Sequence, residues 1–117
     1  MAQKGTSRYY SSKQEHAIAD LLGAKVVPNS GACRFAVSDV IADNWIFEAK
    51  TCMSPKQSFS LKKDWFEKNE RERMDAQKPY SAIVFSFGEG QTNYFVVPEK
   101  TFKLMYEVFE NYGKENN

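Results

Sequence analysis

The stretch that most constrains this chain runs from Ser38 to Lys50 and reads Ser-Asp-Val-Ile-Ala-Asp-Asn-Trp-Ile-Phe-Glu-Ala-Lys. It predicts two short strands joined at Asp43-Asn44, because both residues tolerate the positive φ of tight hairpin turns. Strand side chains alternate between faces, so Glu48 and Lys50 point one way while Trp45, Phe47 and Ala49 point the other. Closing the hairpin brings Asp39 towards Glu48. Two carboxylates and an ammonium then gather beside a hydrophobic sheet, a costly place for charge unless a metal ion or a substrate uses it.

The rest of the chain bounds what such a hairpin can belong to. A length of 117 residues suits one domain, 1–117, with residues 1–10 and 113–117 expected to be flexible. A hydrophobic content of 42% with 15% aromatics predicts a packed globule rather than a disordered chain. No apolar run approaches the ~20 residues of a bilayer span, and the polar N-terminus is unlike a signal peptide, so a cytoplasmic protein is expected. Cys33, Cys52 and the single histidine, His16, do not compose a Cys/His zinc site. Two reduced thiols are the expectation in that compartment, and His16 is assigned no role.

A net charge of +1 gives no hint of nucleic acid, but its distribution says more. Residues 1–14 hold Lys4, Arg8 and Lys13 and no acid, and Lys56, Lys62 and Lys63 cluster after the hairpin. Basic residues near a carboxylate site suit a polyanion, DNA above all; a solvated surface explains them equally well.

Taken in order, Ser12-Lys13-Gln14-Glu15 has capping-box spacing and opens a first helix with an Ala17, Ile18, Leu21, Leu22 stripe, stopped by Gly23. Lys25–Val27 reads as a strand, followed by the loop Pro28-Asn29-Ser30-Gly31 and the hairpin. After the connector Thr51–Gln57, a long helix is expected from about Ser60 to Gln77, with Leu61, Trp65 and Met74 inward. Tyr80–Phe87 and Asn93–Val97 pair as strands across Gly88-Glu89-Gly90. Phe102, Met105, Phe109 and Tyr112 mark a last helix. The order α-β-β-β-α-β-β-α predicts an α/β fold, a central mixed sheet of about five strands flanked by helices.

Asp39, eight intervening residues and then Glu48-Ala49-Lys50 resemble the signature of the PD-(D/E)xK nucleases, with Ser38 where a proline is usual. The first helix with Glu15, a strand, the Ser30-Gly31 loop, the motif hairpin and a following helix resemble the archaeal-type Holliday junction resolvases and their phage relatives. The resemblance spans roughly residues 12 to 97. It implies a restriction-endonuclease-like core, a metal-dependent DNA endonuclease acting on branched four-way junctions, and a homodimer. It also implies the cytoplasm of a host cell if the protein is phage-encoded. Glu15 reaching the metal through water, and Ser30 holding a phosphate oxygen or positioning the metal, are implied by the resemblance alone.

The chemistry open to the motif follows from the residues themselves. Asp39, Glu48 and the Ala49 carbonyl are oxygen ligands for a hard cation such as Mg²⁺, with Mn²⁺ able to substitute. A cation there polarises a phosphodiester oxygen and lowers the pKa of a bound water. Lys50 is placed to orient that water, to stabilise charge growing in the transition state, or to act as the base. Plainer roles compete. A Glu-x-Lys pair is often a cross-strand ion pair on a wet face, Glu15 has the capping box, Ser30-Gly31 has a turn, and Lys62 and Lys63 have a solvated helix face. Duplex nicking, repair or restriction-type cleavage stays open as the enzyme's task. So do a catalytically silent DNA-binding module and a small interaction protein with a fortuitous motif.

Overall fold

The computed structural model describes residues 7–28, 39–52 and 54–115. Their elements are α1 (Ser7–Leu22), β1 (Lys25–Val26), β2 (Val40–Ile41), β3 (Trp45–Lys50), α2 (Lys63–Asp75), β4 (Tyr80–Phe85), β5 (Tyr94–Val96) and α3 (Glu99–Glu115). The fold is α/β, a five-stranded mixed sheet in the order β1-β2-β3-β4-β5 flanked by helices. Strands β1, β2 and β3 form an antiparallel meander. β3 and β4 are parallel, which requires the α2 crossover between them, and β5 returns antiparallel. Among the described residues no helix is long and apolar enough to cross a membrane.

The central strands carry the core because they are covered on both faces. Ile46, Phe47 and Glu48 of β3 are all buried, as are Ser81–Val84 of β4. On one face Ile18 and Ala19 of α1 pack with Val40, Phe47, Ala82 and Val84. Trp45 stacks on Phe47 and touches the Tyr80 ring on that same side. The other face, with Glu48, Lys50 and Ile83, lies under α2; Lys50 rests on the ring of Trp65 there. The alternation expected for the hairpin is therefore observed.

Helix ends depart from expectation in instructive ways. α1 begins at Ser7, so Ser12 lies well inside the helix and cannot serve as its N-cap. Arg8-Tyr9-Tyr10-Ser11 contains no glycine or proline to stop a helix, and residues 7–10 are helical rather than loose. Gly23 does end α1: it takes φ +66°, and the Ala24 amide donates to the Ala19 carbonyl at 2.9 Å, the geometry of a Schellman cap.

α2 is shorter than expected and ends the same way without glycine. Gln77 adopts φ +56°, the Lys78 amide donates to Arg73 O, and the Arg73 guanidinium donates to Lys78 O at 2.9 Å. Its orientation also differs: Met74 is 63% exposed and Asn69 is buried. The inward stripe runs through Trp65, Asn69 and Glu72 because this helix covers charged groups. In the hairpin, the Ala42 amide donates to Trp45 O across a tight turn, yet neither Asp43 nor Asn44 takes positive φ. α3 extends through Glu115, into the region expected to be flexible, and only Thr101 of it is buried.

Candidate functional site

The backbone of Asp39 is held from both sides. Its amide donates to Phe47 O at 3.2 Å, and its carbonyl accepts from the Val27 amide at 2.9 Å. Next to it Val40 pairs with Phe47 and faces the core, so the Asp39 side chain is turned to the α2 face. There Asp39 Oδ2 accepts from the Ala49 amide at 2.8 Å. This bond ties the first carboxylate to the peptide between Glu48 and Lys50. The approach expected from the hairpin is realised.

Glu48 is the most burdened group of the set. It is 8% exposed on the central strand, with Lys50 Nζ 3.6 Å and Lys68 Nζ 3.6 Å from Oε1. Burial, and then the charge of Asp39, push its pKa up to about 7, against the opposing pull of Lys68 and Lys50. Lys68 belongs to α2 and also lies 3.5 Å from Glu72 Oε1. The Glu48 charge holds Lys68 above the ordinary lysine value, while burial raises the Glu72 carboxyl. Glu72 Oε2 is buried without a hydrogen-bond partner among the described residues. Lys50 is half-buried, its ammonium 4.4 Å from the Trp65 ring centroid, a cation–π contact that fixes its direction.

The donor set suits a hard cation: one carboxylate just ahead of β2 and one on β3, in a place where burial disfavours ionised Glu48. Among the described residues no group of three or more His, Cys, Asp or Glu side chains stands ready to hold a metal. Asp39, Glu48 and the Ala49 carbonyl would thus need water or substrate oxygens to complete a shell.

The remaining sequence candidates separate. Glu15 is half-buried on α1, and its neighbour Gln14 is bonded to the motif strand: Gln14 Nε2 donates to Lys50 O at 2.9 Å and to Asn93 Oδ1 at 3.1 Å. Ser30, Cys33 and Lys4 lie outside the described residues, as does the side chain of Arg8. Lys13 pairs with Glu89 at 2.5 Å across the α1–β4 end of the sheet. Lys56, Lys62 and Lys63 are exposed, and Lys62 Nζ lies 5.8 Å from the same Trp65 ring that carries Lys50. His16 is exposed, and Cys52 is a free thiol near Ser86 O.

Sequence reasoning missed Lys68, Glu72 and Gln14. The first two had a readable signal, since Trp65, Lys68 and Glu72 recur at three- and four-residue spacing and so share a helix face. Compared with protein-family models, curated proteins and solved structures, the chain matches none.

Proposed function

We propose that the protein is a Mg²⁺-dependent DNA endonuclease, a resolvase that selects branched four-way junctions. The observation that carries this reading is the convergence of Asp39, Glu48 and Lys50 on one spot of adjacent strands, with Asp39 bonded to the Ala49 amide. Holding the buried Glu48 beside the half-buried Asp39 costs stability, a cost that phosphodiester hydrolysis at this spot would explain.

In this reading Asp39, Glu48 and the Ala49 carbonyl hold the cation, which when bound supplies Lewis-acid polarisation of the phosphate and a water of lowered pKa. The chain's own residues do the rest. Asp39 keeps the Glu48–Lys50 peptide in register. Lys50, braced on Trp65, presents an ammonium to the scissile phosphate and to the charge that grows on it. Lys62 and Lys63, at the entrance to α2 beside Trp65, face solvent where a DNA backbone would lie, and the positive end of the α2 dipole adds to them.

A four-way junction presents two opposed strands to be cut, which one small domain answers by pairing with a second copy. The apolar side of α3 supports that pairing: Phe102, Tyr106, Phe109 and Tyr112 are each more than half exposed, and Met105 opens onto a groove lined by Leu22, Trp45, Phe47 and Phe95.

The test offers labelled four-way junction, duplex and single-stranded DNA to the purified protein, each with Mg²⁺ and with EDTA. Paired nicks in the junction alone, and only with metal, are expected. Metal-dependent cutting of plain duplex would replace the resolvase with a duplex nuclease. Binding without cutting would leave a DNA-binding module, and no binding would reduce the motif to an ion-paired hairpin.

A further inference from the structure

Glu48 has two lysines around it, and they are not equivalent. Lys50 rises from the same strand and is braced on Trp65, whereas Lys68 reaches in from α2 with 56% of its side chain exposed. Its ammonium sits between the buried Glu48 and the half-buried Glu72, 3.6 Å from Glu48 Oε1 and 3.5 Å from Glu72 Oε1. Both separations exceed the ~2.7–2.9 Å of a charge-assisted hydrogen bond, so the ammonium is shared and tightly held by neither partner. Glu72 lies one helical turn from Lys68 and has a second oxygen, Oε2, that is buried with no hydrogen-bond partner among the described residues.

A divalent cation taken up by Glu48 would repel an ammonium already beside the same oxygen. Lys50 is fixed by its ring contact, but Lys68 has somewhere to go. We infer that Lys68 is a displaceable internal cation: it neutralises Glu48 in the metal-free protein and withdraws to Glu72 when a divalent ion binds. The inference rests on reading Asp39 and Glu48 as metal ligands. Lys68 is thus a positioning residue. It keeps the empty carboxylate site folded, at the expense of metal affinity, and Glu72 is the seat that makes the exchange reversible.

The experiment is a titration of the intact, DNA-free protein with Mn²⁺, free ion being read by electron paramagnetic resonance. Wild type, Lys68→Met, Glu72→Gln and the double variant are compared, with thermal melts in EDTA and in Mn²⁺. Lys68→Met is expected to bind Mn²⁺ about tenfold more tightly, the scale of removing one repelling charge near a protein surface. It should melt lower than wild type in EDTA and recover with Mn²⁺. Glu72→Gln should weaken Mn²⁺ binding several-fold more when Lys68 is present than in the Lys68→Met background. Mn²⁺ affinity of Lys68→Met equal to or below that of a metal-binding wild type overturns the inference and leaves the nuclease reading standing. No Mn²⁺ binding by any of the four proteins overturns the metal-site reading itself, and the inference with it. Lys68→Gln, equally uncharged, repeats the comparison should the methionine variant fold poorly.

Discussion

The face of the sheet under α2 and the outer surface of α3 invert the usual arrangement in opposite senses. Under α2, Asp39, Glu48 and Glu72 are drawn into the protein, and Glu48 is left with a pKa near 7. On α3, Phe102, Tyr106, Val108, Phe109 and Tyr112 stand in solvent, each more than half exposed. The first departure costs electrostatic free energy, and the second forgoes hydrophobic free energy. On the proposed reading an ion and a phosphate would offset the first, and an apolar partner surface the second. The two regions thus point to different ligands, and they should fail independently.

The largest expected effect lies in the chemistry. Asp39→Asn or Glu48→Gln should slow junction cleavage by about 10²–10³-fold or more, the scale of losing one preorganised electrostatic group. Junction binding, followed by gel mobility, should stay close to wild type. Undiminished cleavage by either variant would move the site elsewhere.

The same carboxylate should set a pH dependence of stability. Glu48 keeps its proton to about pH 7 in the folded protein but only to about 4.5 in the unfolded chain. Between those values the native state binds the extra proton. Metal-free stability should therefore fall as pH rises from about 4.5 to about 7, and then level off. At about 1.4 kcal/mol per pH unit the whole loss is about 3 kcal/mol. Urea denaturation in EDTA at pH 5 and pH 8 measures it. Glu48→Gln should flatten the dependence and be the more stable protein at pH 8, although it cannot cut. A wild-type profile as flat as that of the variant would show that burial does not burden Glu48.

Changes on α3 should leave the charged face untouched. Phe102→Glu with Phe109→Glu should weaken self-association by about 10–100-fold, as loss of an aromatic anchor does, read by sedimentation velocity. Monomer stability should shift by no more than about 0.5 kcal/mol, because both side chains are already exposed. A variant that dimerises like wild type would place the partner surface off this helix. Smallest of all, Lys13→Ala removes an exposed ion pair to Glu89 and should leave the urea midpoint within experimental scatter of wild type, with any difference at low salt erased by added salt.

What could be read in the chain without its structure follows the range of the forces involved. The hairpin was legible because alternation along a strand is local and has a period of two: once Trp45 and Phe47 face the core, Glu48 and Lys50 must face away from it. Gly23 was legible as a helix stop for a similar reason, since its backbone alone decides. The first turn of α1 was not, because Ser12-Lys13-Gln14-Glu15 carries a start signal wherever it occurs and says nothing of a helix already under way. Nor was the direction of α2. Its hydropathy turns Met74 inward, but a helix that covers Glu48 gains by bringing the Lys68 ammonium to it, and Asn69 and Glu72 on the same face are carried in with that lysine.

By itself, then, the sequence determined the order of elements and the face that Asp39, Glu48 and Lys50 share. Only the tertiary structure decided that Gln14 is bonded to the motif strand, that Lys68 stands between the buried Glu48 and the half-buried Glu72, and that the aromatic side of α3 is left open. Strand alternation and turn chemistry act between neighbours in the chain. Burial of a helix face is settled by whatever lies opposite it, here a charged sheet for α2 and solvent for α3.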